Sequence, residues 1–587
     1  MFRLFRRIVK TEALFALACL LFTILQVWLE LKIPDYMTNI TKLIQTEGST
    51  MTEIIKTGAW MLLCALLSLI CAVVVVYISA TLSSRFSYRV RNRIFGQVER
   101  FSLNEIKKFS TSSLITRTTN DVSQIEMFIA MGLSGMLRSP VMATLAISKI
   151  LNKGLEWTVL VALEVAFLLT VIITIMILVI PRFKKMQKLI DRVNGVTREN
   201  LTGIRVIRAF NAENFQLKRF GKENNELTGI QMFNQKVLSL IGPTMNIVMH
   251  SLTLGIYIIG AILITKAGMI DKINLFSNMI VFSSYGMQVI MSFMMLSMIF
   301  MMWPRVSVSA GRINEVLDTE STIIEGNFNG KTDDIGTVEF RNVSFKYPDA
   351  DEYILKDITF KAEKGETVAF IGSTGSGKST LINLVPRFYD VTDGTVLVDG
   401  IDVREYQEEA LYNKLGYVSQ KAFMFTGTVK DNVSFGKINK HKVSIEEVKQ
   451  AVKIAQGKDF VEDMDKQYNS HIARGGTNIS GGQKQRLSIA RAIARNPEIY
   501  IFDDSFSALD YKTDAILRKE LKKHTKDATS LIVAQRIGTI MNADKIIVLD
   551  RGECVGIGTH KELLKNCEVY KEIALSQLSK EELDHAA

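Results

Sequence analysis

The sequence predicts two joined folds: an all-α transmembrane domain of six helices with long cytoplasmic helical extensions, then an α/β domain carrying a glycine-rich loop. Three observations support this. Six long apolar stretches precede residue 304; a loop of alternating Gly and Ser lies between a strand-like and a helix-like run near residue 372; and the composition changes near Thr337 from Leu-, Ile-, Val-, Met- and Phe-rich to that of a soluble α/β protein. At 587 residues the chain exceeds one ordinary domain, and its 48% hydrophobic content is high for a soluble enzyme.

The six stretches are Ala13–Ile33, Ala59–Ala80, Phe128–Leu151, Trp157–Ile180, Val237–Thr265 and Leu275–Trp303. Each is long enough to cross a bilayer, which takes roughly 20 residues. The first is too long for a signal-peptide core and no small-residue cleavage site follows it, so it reads as a retained span. Basic residues orient the set. Arg3, Arg6, Arg7 and Lys10 precede the first span, Arg85 to Lys108 follow the second, and Arg182 to Lys188 follow the fourth. The opposite loops, around Thr38–Lys56, Asn152–Glu156 and Lys266–Asn274, are short and poor in Lys and Arg. Both termini are therefore expected in the cytoplasm, and the protein in the cell membrane as a multi-pass chain within the lipid bilayer. The net charge of +11 lies largely beside these spans, which argues against a nucleic-acid partner. Cys19, Cys64, Cys71, Cys554 and Cys567 form no CxxC pair and read as unpaired thiols.

The inner segments Thr81–Ser123 and Pro181–Lys236 are too long for turns and carry helical periodicity. They are expected to continue the membrane helices into the cytoplasm, with crosswise helices at tips near Ser110–Arg117 and Phe210–Phe215. A charged helix, Arg312–Leu317, then leads to turn-forming residues Asn327–Gly336 with paired Asp, and strand-like runs begin. The division is residues 1–320 for the transmembrane domain with two cytoplasmic coupling loops, 321–336 for a linker, 337–575 for the α/β domain, and 576–587 for a polar tail.

The strongest motif is Gly372-Ser373-Thr374-Gly375-Ser376-Gly377-Lys378-Ser379-Thr380, which follows the strand Thr367–Ile371 and opens the helix Leu381–Val385. Glycines allow the backbone N–H groups to face phosphates, and the helix start adds partial positive charge. Lys378 is assigned to the outer phosphates and Ser379 to Mg2+, with ATP or GTP as ligand. The apolar run Ile499–Phe502 ends in Asp503, expected to reach the same Mg2+.

Asn478-Ile479-Ser480-Gly481-Gly482-Gln483 resembles the LSGGQ signature of ABC transporters, with Ile479 for Leu. Other motifs fit that family. Tyr347 resembles the aromatic that stacks on adenine, Gln420 the glutamine that joins Mg2+ to the membrane-facing loop, and Ser507-Ala508-Leu509-Asp510 the loop that crosses the dimer interface. Ile115–Asp121 and Glu199–Phe210 look like the arms of multidrug-type (type IV) ABC exporters, and the likeness covers essentially the whole chain. It implies a half-transporter whose P-loop nucleotide-binding domain carries a helical subdomain. It also implies that ATP and Mg2+ are bound, and that Ser480, Gly481, Gly482, Gln483 and Asp510 reach the ATP held by a second half-transporter.

Two positions depart from the family. Asp504 stands where a Glu normally polarises water, and one methylene fewer withdraws the carboxylate by roughly 1.5 Å. Gln535 stands where a histidine is expected; an amide cannot carry the proton. The pattern resembles the degenerate-site subunit of bacterial heterodimeric multidrug ABC exporters. It implies that the chain's own pocket hydrolyses slowly and that its signature completes the partner's active pocket. Arg474 replaces an acidic residue often found ahead of the signature.

The sixth span carries Met287, Met291, Met294, Met295, Met298, Met301 and Met302 at helical steps with Gln288 nearby. Flexible thioethers suit a surface for small amphipathic substrates. Arg138 and Glu164 are charges within spans and candidates for the substrate pathway, while Glu30 and Lys149 read as snorkelling at span ends. Rival readings are a lipid flippase or peptide exporter of the same fold, and an ATP-gated regulatory subunit.

Overall fold

The computed structural model describes residues 10–46, 48–151, 155–332, 335–436 and 442–578. The first three arginines, part of the second outer loop, the paired Asp333 and Asp334, and residues 579–587 of the expected tail lie outside these. The chain separates into two compact units. One comprises the chain up to Glu99 with Ser110–Glu320; the other comprises Arg100–Phe109 with the chain from Ser321 onward.

The first unit is helical. Its elements are α1 (Lys10–Gln45), α2 (Met51–Val98), then, after the short helix α3 (Leu103–Phe109) that belongs to the second unit, α4 (Thr111–Thr116), α5 (Val122–Leu151), α6 (Leu155–Thr202), α7 (Ile204–Ala209), α8 (Glu213–Ser239), α9 (Ile241–Lys266) and α10 (Met269–Asp318). Among the described residues six helical stretches are long and apolar enough to cross a membrane. The 48 residues of α2 span about 72 Å at 1.5 Å each, far beyond a hydrocarbon layer of about 30 Å. Its charged C-terminal part therefore continues as a helix beyond the apolar stretch. Helix α1 packs along α2, α10 along α5, and α6 along α8. At the centre of the bundle the Trp157 and Phe282 rings lie 5.0 Å apart, both buried.

Three expectations require correction. The expected first loop Thr38–Lys56 is largely helical, because α1 continues through Pro34 to Gln45 and α2 begins at Met51. Within the continued helix, Asp35 accepts from Lys149 Nζ at 2.7 Å and from the Tyr285 hydroxyl at 2.7 Å. For the same reason Lys149 does not snorkel, and neither does Glu30, which holds Arg138 at 2.9 Å and accepts from Gln26 and Ser68. A short helix occupies the first expected tip, at Thr111–Thr116; of two others, Leu103–Phe109 precedes it and Ile204–Ala209 lies earlier than the second expected tip. Ser110 (φ +58°) and Asn211 (φ +53°) take left-handed backbone, which few side chains tolerate, and so end the latter two helices where periodicity alone shows no break.

Between α4 and α5 the backbone widens into a π-turn over Arg117–Asp121. Both ends of it are tied to α10: Arg117 donates to the Arg312 carbonyl (2.7 Å) and to Glu315 (2.8 Å), and Asp121 accepts from Ser309 (2.8 Å). This arm motif is thus a polar clamp between two helices.

Among its described residues the second unit holds twelve strands: β1 (Val338–Phe345), β2 (Leu355–Ala362), β3 (Thr367–Gly372), β4 (Asp393–Val398), β5 (Ile401–Asp402), β6 (Leu415–Val418), β7 (Gly427–Thr428), β8 (His471–Ile472), β9 (Ile499–Asp503), β10 (Thr529–Val533), β11 (Lys545–Asp550) and β12 (Glu553–Gly558). A six-stranded sheet runs β12-β11-β3-β10-β9-β6, parallel apart from β12, beside an antiparallel sheet β2-β1-β4-β5. Every residue of β9 and β10 is buried, as expected for central parallel strands covered on both faces. The helices between β6 and β9, including Ile445–Ile454 and Gly481–Ala494, pack together as a helical layer. The connecting segment is not free. Gly326 and Phe328 donate to the carbonyls of Tyr406 and Glu405, and the Phe328 ring meets Tyr406 edge-on at 5.0 Å.

Candidate nucleotide-binding site

Strand order builds the site. Strands β3, β10, β9 and β6 are neighbours running the same way, so the segments leaving their carboxyl ends emerge side by side, about 4.8 Å apart per strand. Those segments are the glycine-rich loop, Gln535, Asp503-Asp504 and Gln420. Ligands of open α/β sheets bind at this edge.

In the loop after β3, Gly375 (φ +85°) and Gly377 (φ +95°) adopt left-handed backbone; a Cβ on Gly377 would approach Leu355 Cδ2 to 2.7 Å. Lys378 Nζ donates to the carbonyls of Gly372 (2.9 Å) and Ser373 (2.7 Å) and to Ser376 Oγ (3.3 Å), so the ammonium sits within the loop. Burial pushes the Lys378 ammonium below its ordinary pKa, partly offset by Asp504 and Asp503. Ser379 Oγ donates to Asp503 Oδ1 at 2.7 Å across the two strand ends.

Asp504 has φ +46°, with its N–H on the Val533 carbonyl (3.1 Å) and its own carbonyl accepting from Ser507 Oγ (2.9 Å). Its Oδ2 accepts from two amides, Gln535 Nε2 at 2.8 Å and Gln420 Nε2 at 3.2 Å. Burial pushes both Asp503 and Asp504 above the usual carboxylate range. The sequence expectation names all four side chains; the convergence of two amides on one carboxylate oxygen is the structure's addition.

Tyr347 lies beside the loop's helix, its hydroxyl 3.1 Å from Thr380 Oγ1. Its ring meets Tyr389 edge-on (5.3 Å) and lies under Lys107 Nζ, 4.5 Å from the centroid. Sequence reading missed Tyr389 and Lys107. Nothing local marks them, since Lys107 precedes Tyr347 by some 240 positions.

The signature lies apart from this cluster in chain order and in chemistry. Ser480 caps the 14-residue helix Gly481–Ala494: its Oγ accepts from the Gln483 N–H (3.3 Å), and its N–H donates to Gln483 Oε1 (2.9 Å). Ser480 and Gly481 are exposed, and so is Asp510, which caps the next helix through the Thr513 N–H at 2.9 Å. Hydrogen bonding to Thr513 holds the Asp510 carboxyl below its ordinary value. Arg474 is exposed ahead of Gly475, a left-handed residue (φ +68°).

In the first unit Met291, Met295 and Met298 are exposed, while Met287 and Gln288 are half-buried. Gln288 Oε1 is buried with no hydrogen-bond partner among the described residues. Arg138 is paired with Glu30, and Glu164 accepts from Ser251 Oγ at 2.7 Å.

Residues 355–507 match the ABC transporter family model and residues 16–302 that of the ABC transporter transmembrane region. An uncharacterized ABC transporter ATP-binding protein of Mycobacterium tuberculosis is 38% identical over 535 residues, 90% of each chain. A Staphylococcus aureus protein, named as a proposed multidrug export ATP-binding/permease protein, is 31% identical over 514 residues, 85% of each. A solved bacterial Atm1-family ABC exporter with ATP bound superimposes with a TM-score of 0.81 at 22% identity, covering 98% of this chain and 99% of that one. With six membrane helices fused to an ATP-binding α/β domain in the exporter fold, this chain belongs to the ABC transporters as a half-transporter whose ATPase domain is coupled to transport.

Proposed function

We propose that this chain is one half of a heterodimeric exporter of small amphipathic compounds, and that its own ATP pocket is the slow, degenerate one. The observation that carries the reading is the pair of amides on Asp504. Gln420 and Gln535 both donate to Asp504 Oδ2, so no histidine is present to exchange a proton, and the shortened carboxylate is already engaged. The multidrug-export name of the Staphylococcus aureus relative supports the transport class.

On this reading the backbone amides of Gly372 to Gly377 and the Lys378 ammonium hold the phosphates of ATP, Thr380 closes the loop, and Tyr347 takes the adenine. The Ser379 hydroxyl, the Asp503 carboxylate and the Gln420 side-chain oxygen form the hard oxygen set that Mg2+ prefers, and Ser379 and Asp503 already lie within hydrogen-bond distance. Bound there, Mg2+ neutralises phosphate charge. Ser480, Gly481, Gly482, Gln483 and Asp510 face outward and supply N–H and hydroxyl groups to the ATP of a second half-transporter. Binding closes the two ATPase domains, and hydrolysis in the partner's pocket resets them. The N- and C-termini are cytoplasmic, on the side of ATP. The exposed Met291, Met295 and Met298, with Met287 and the unpartnered Gln288 Oε1, form the substrate surface. Arg138 and Glu164 are held by Glu30 and Ser251 and serve the bundle's internal pairing.

The test is ATPase activity in lipid nanodiscs, for this chain alone and together with a second half-transporter that co-purifies with it. The expected outcome is slow turnover alone and fast turnover together, with substrate flux that stops when the partner's catalytic carboxylate is removed. Fast turnover by this chain alone would reject the reading, and nucleotide-gated conductance without flux would favour a regulatory subunit.

A further inference from the structure

Helix α3 directly continues the membrane helix α2 through residues 99–102, yet it belongs to the second unit. A polar clamp seats it there. The buried Glu105 accepts from the Ser102 N–H (2.9 Å) and the Thr322 N–H (3.4 Å), the Ser102 and Thr322 hydroxyls lie 3.1 Å apart, and the Phe101 and Phe109 rings stack at 5.7 Å. This clamp does not involve Lys107, whose side chain is exposed and extends to the corner between two tyrosines. Its ammonium lies 4.5 Å from the Tyr347 centroid and 5.2 Å from that of Tyr389. Hydrogen bonding to Tyr389 holds the ammonium above its ordinary pKa, so it is charged throughout the physiological range.

A cation over an aromatic face and a purine stacked on that face need the same ring surface. We propose that Lys107 is an adenine-competing cation, covering the Tyr347 ring until ATP binds, so that base stacking and the seating of Lys107 exclude one another. This deepens the assignment of Tyr347 as the adenine platform and rests on it. Its consequence is a nucleotide sensor on the segment that extends α2. By linkage, whatever moves α3 from its seat raises ATP affinity by the factor by which ATP favours the move.

Full-length protein in nanodiscs, titrated with MgATP and with magnesium tripolyphosphate, which has no base, tests this. Lys107→Gln is expected to bind MgATP about two- to five-fold more tightly, the range set by a partly exposed cation–ring contact. Tripolyphosphate affinity is expected to be unchanged. Lys107→Arg keeps the charge and serves as the folded control, binding MgATP no more tightly than wild type. Tyr347→Leu is expected to weaken MgATP binding and, in the double variant, to abolish the gain from Lys107→Gln. If Tyr347→Leu weakens MgATP while Lys107→Gln leaves it unchanged or weaker, the competition is wrong and the platform stands. If Tyr347→Leu has no effect on MgATP, the platform itself is wrong. Tightening of ATP and tripolyphosphate alike would overturn the proposal as well, since it would reflect charge rather than stacking.

Discussion

Two regions of the second unit handle phosphate chemistry in opposite ways. In the pocket at the ends of β3, β10, β9 and β6, every chemical group is turned inward: Lys378 onto its own loop, Ser379 onto Asp503, and two glutamine amides onto Asp504. At the signature, Ser480 caps its own helix while its first residues remain exposed. The pocket groups all come from one chain and include Asp504 and Gln535, the two residues proposed to slow hydrolysis. The signature follows the family in Ser480–Gln483 but has nothing of its own to act on. On the proposed function, the two halves of a shared active site can change separately, because each is held by a different set of local contacts.

Substitutions at the signature and in the pocket should differ most in their effect on turnover. In the assembled transporter Gly482→Asp is expected to lower steady-state ATPase activity by about 10²-fold or more, the usual cost of losing preorganised phosphate-facing donors. Asp504→Asn should change it less than about two-fold, since the proposed slow pocket contributes little. The reverse ranking would place the chemistry in this chain's own pocket. Next in size, the double change Asp504→Glu and Gln535→His restores both missing groups. Single-turnover hydrolysis at this pocket should then rise about ten-fold or more, and no rise would mean that something other than these two side chains limits it.

A smaller effect concerns the buried carboxyls. Both Asp503 and Asp504 are raised above the ordinary value by burial, so the unfolded chain releases their protons first as pH climbs. Folded-state stability therefore falls from the ordinary aspartate range upward, until the pocket carboxyls have themselves ionised. At neutral pH, without nucleotide, Asp503→Asn should raise the thermal midpoint by about 2–4 °C while weakening Mg2+-dependent ATP binding. An unchanged midpoint would mean that the Ser379 contact already compensates for burial. The smallest effect lies outside both regions. Arg138→Met leaves Glu30 the Gln26 amide and the Ser68 hydroxyl as donors, so it should lower the midpoint by only about 1–3 °C and leave ATPase activity unchanged. A large loss of activity there would move Arg138 into the transport pathway.

Much of the architecture is legible in the residues because it depends on local pattern. Apolar runs of membrane length, the glycine loop between strand and helix, and the serine-glycine signature are each contiguous, so order and spacing reveal them. What the residues hide depends on pairing between distant positions. Lys149 reads as a snorkelling charge at a span end, yet it pairs with Asp35, 114 positions earlier, at 2.7 Å. Ser110 and Asn211 end their helices through left-handed backbone that periodicity does not record.

The residues alone sufficed to read helices of membrane length ahead of a phosphate loop and a signature of this family, and to single out Asp504 and Gln535 as the expected departures from it. What those two residues do to each other, and what covers Tyr347, follows from the folded chain path. Sheet order brings Gln420, Asp504 and Gln535 to one edge from strands separated by up to 110 positions, and α3 carries Lys107 onto the tyrosine ring. Contacts of this kind follow from chain path rather than local propensity, so no short stretch of residues contains them.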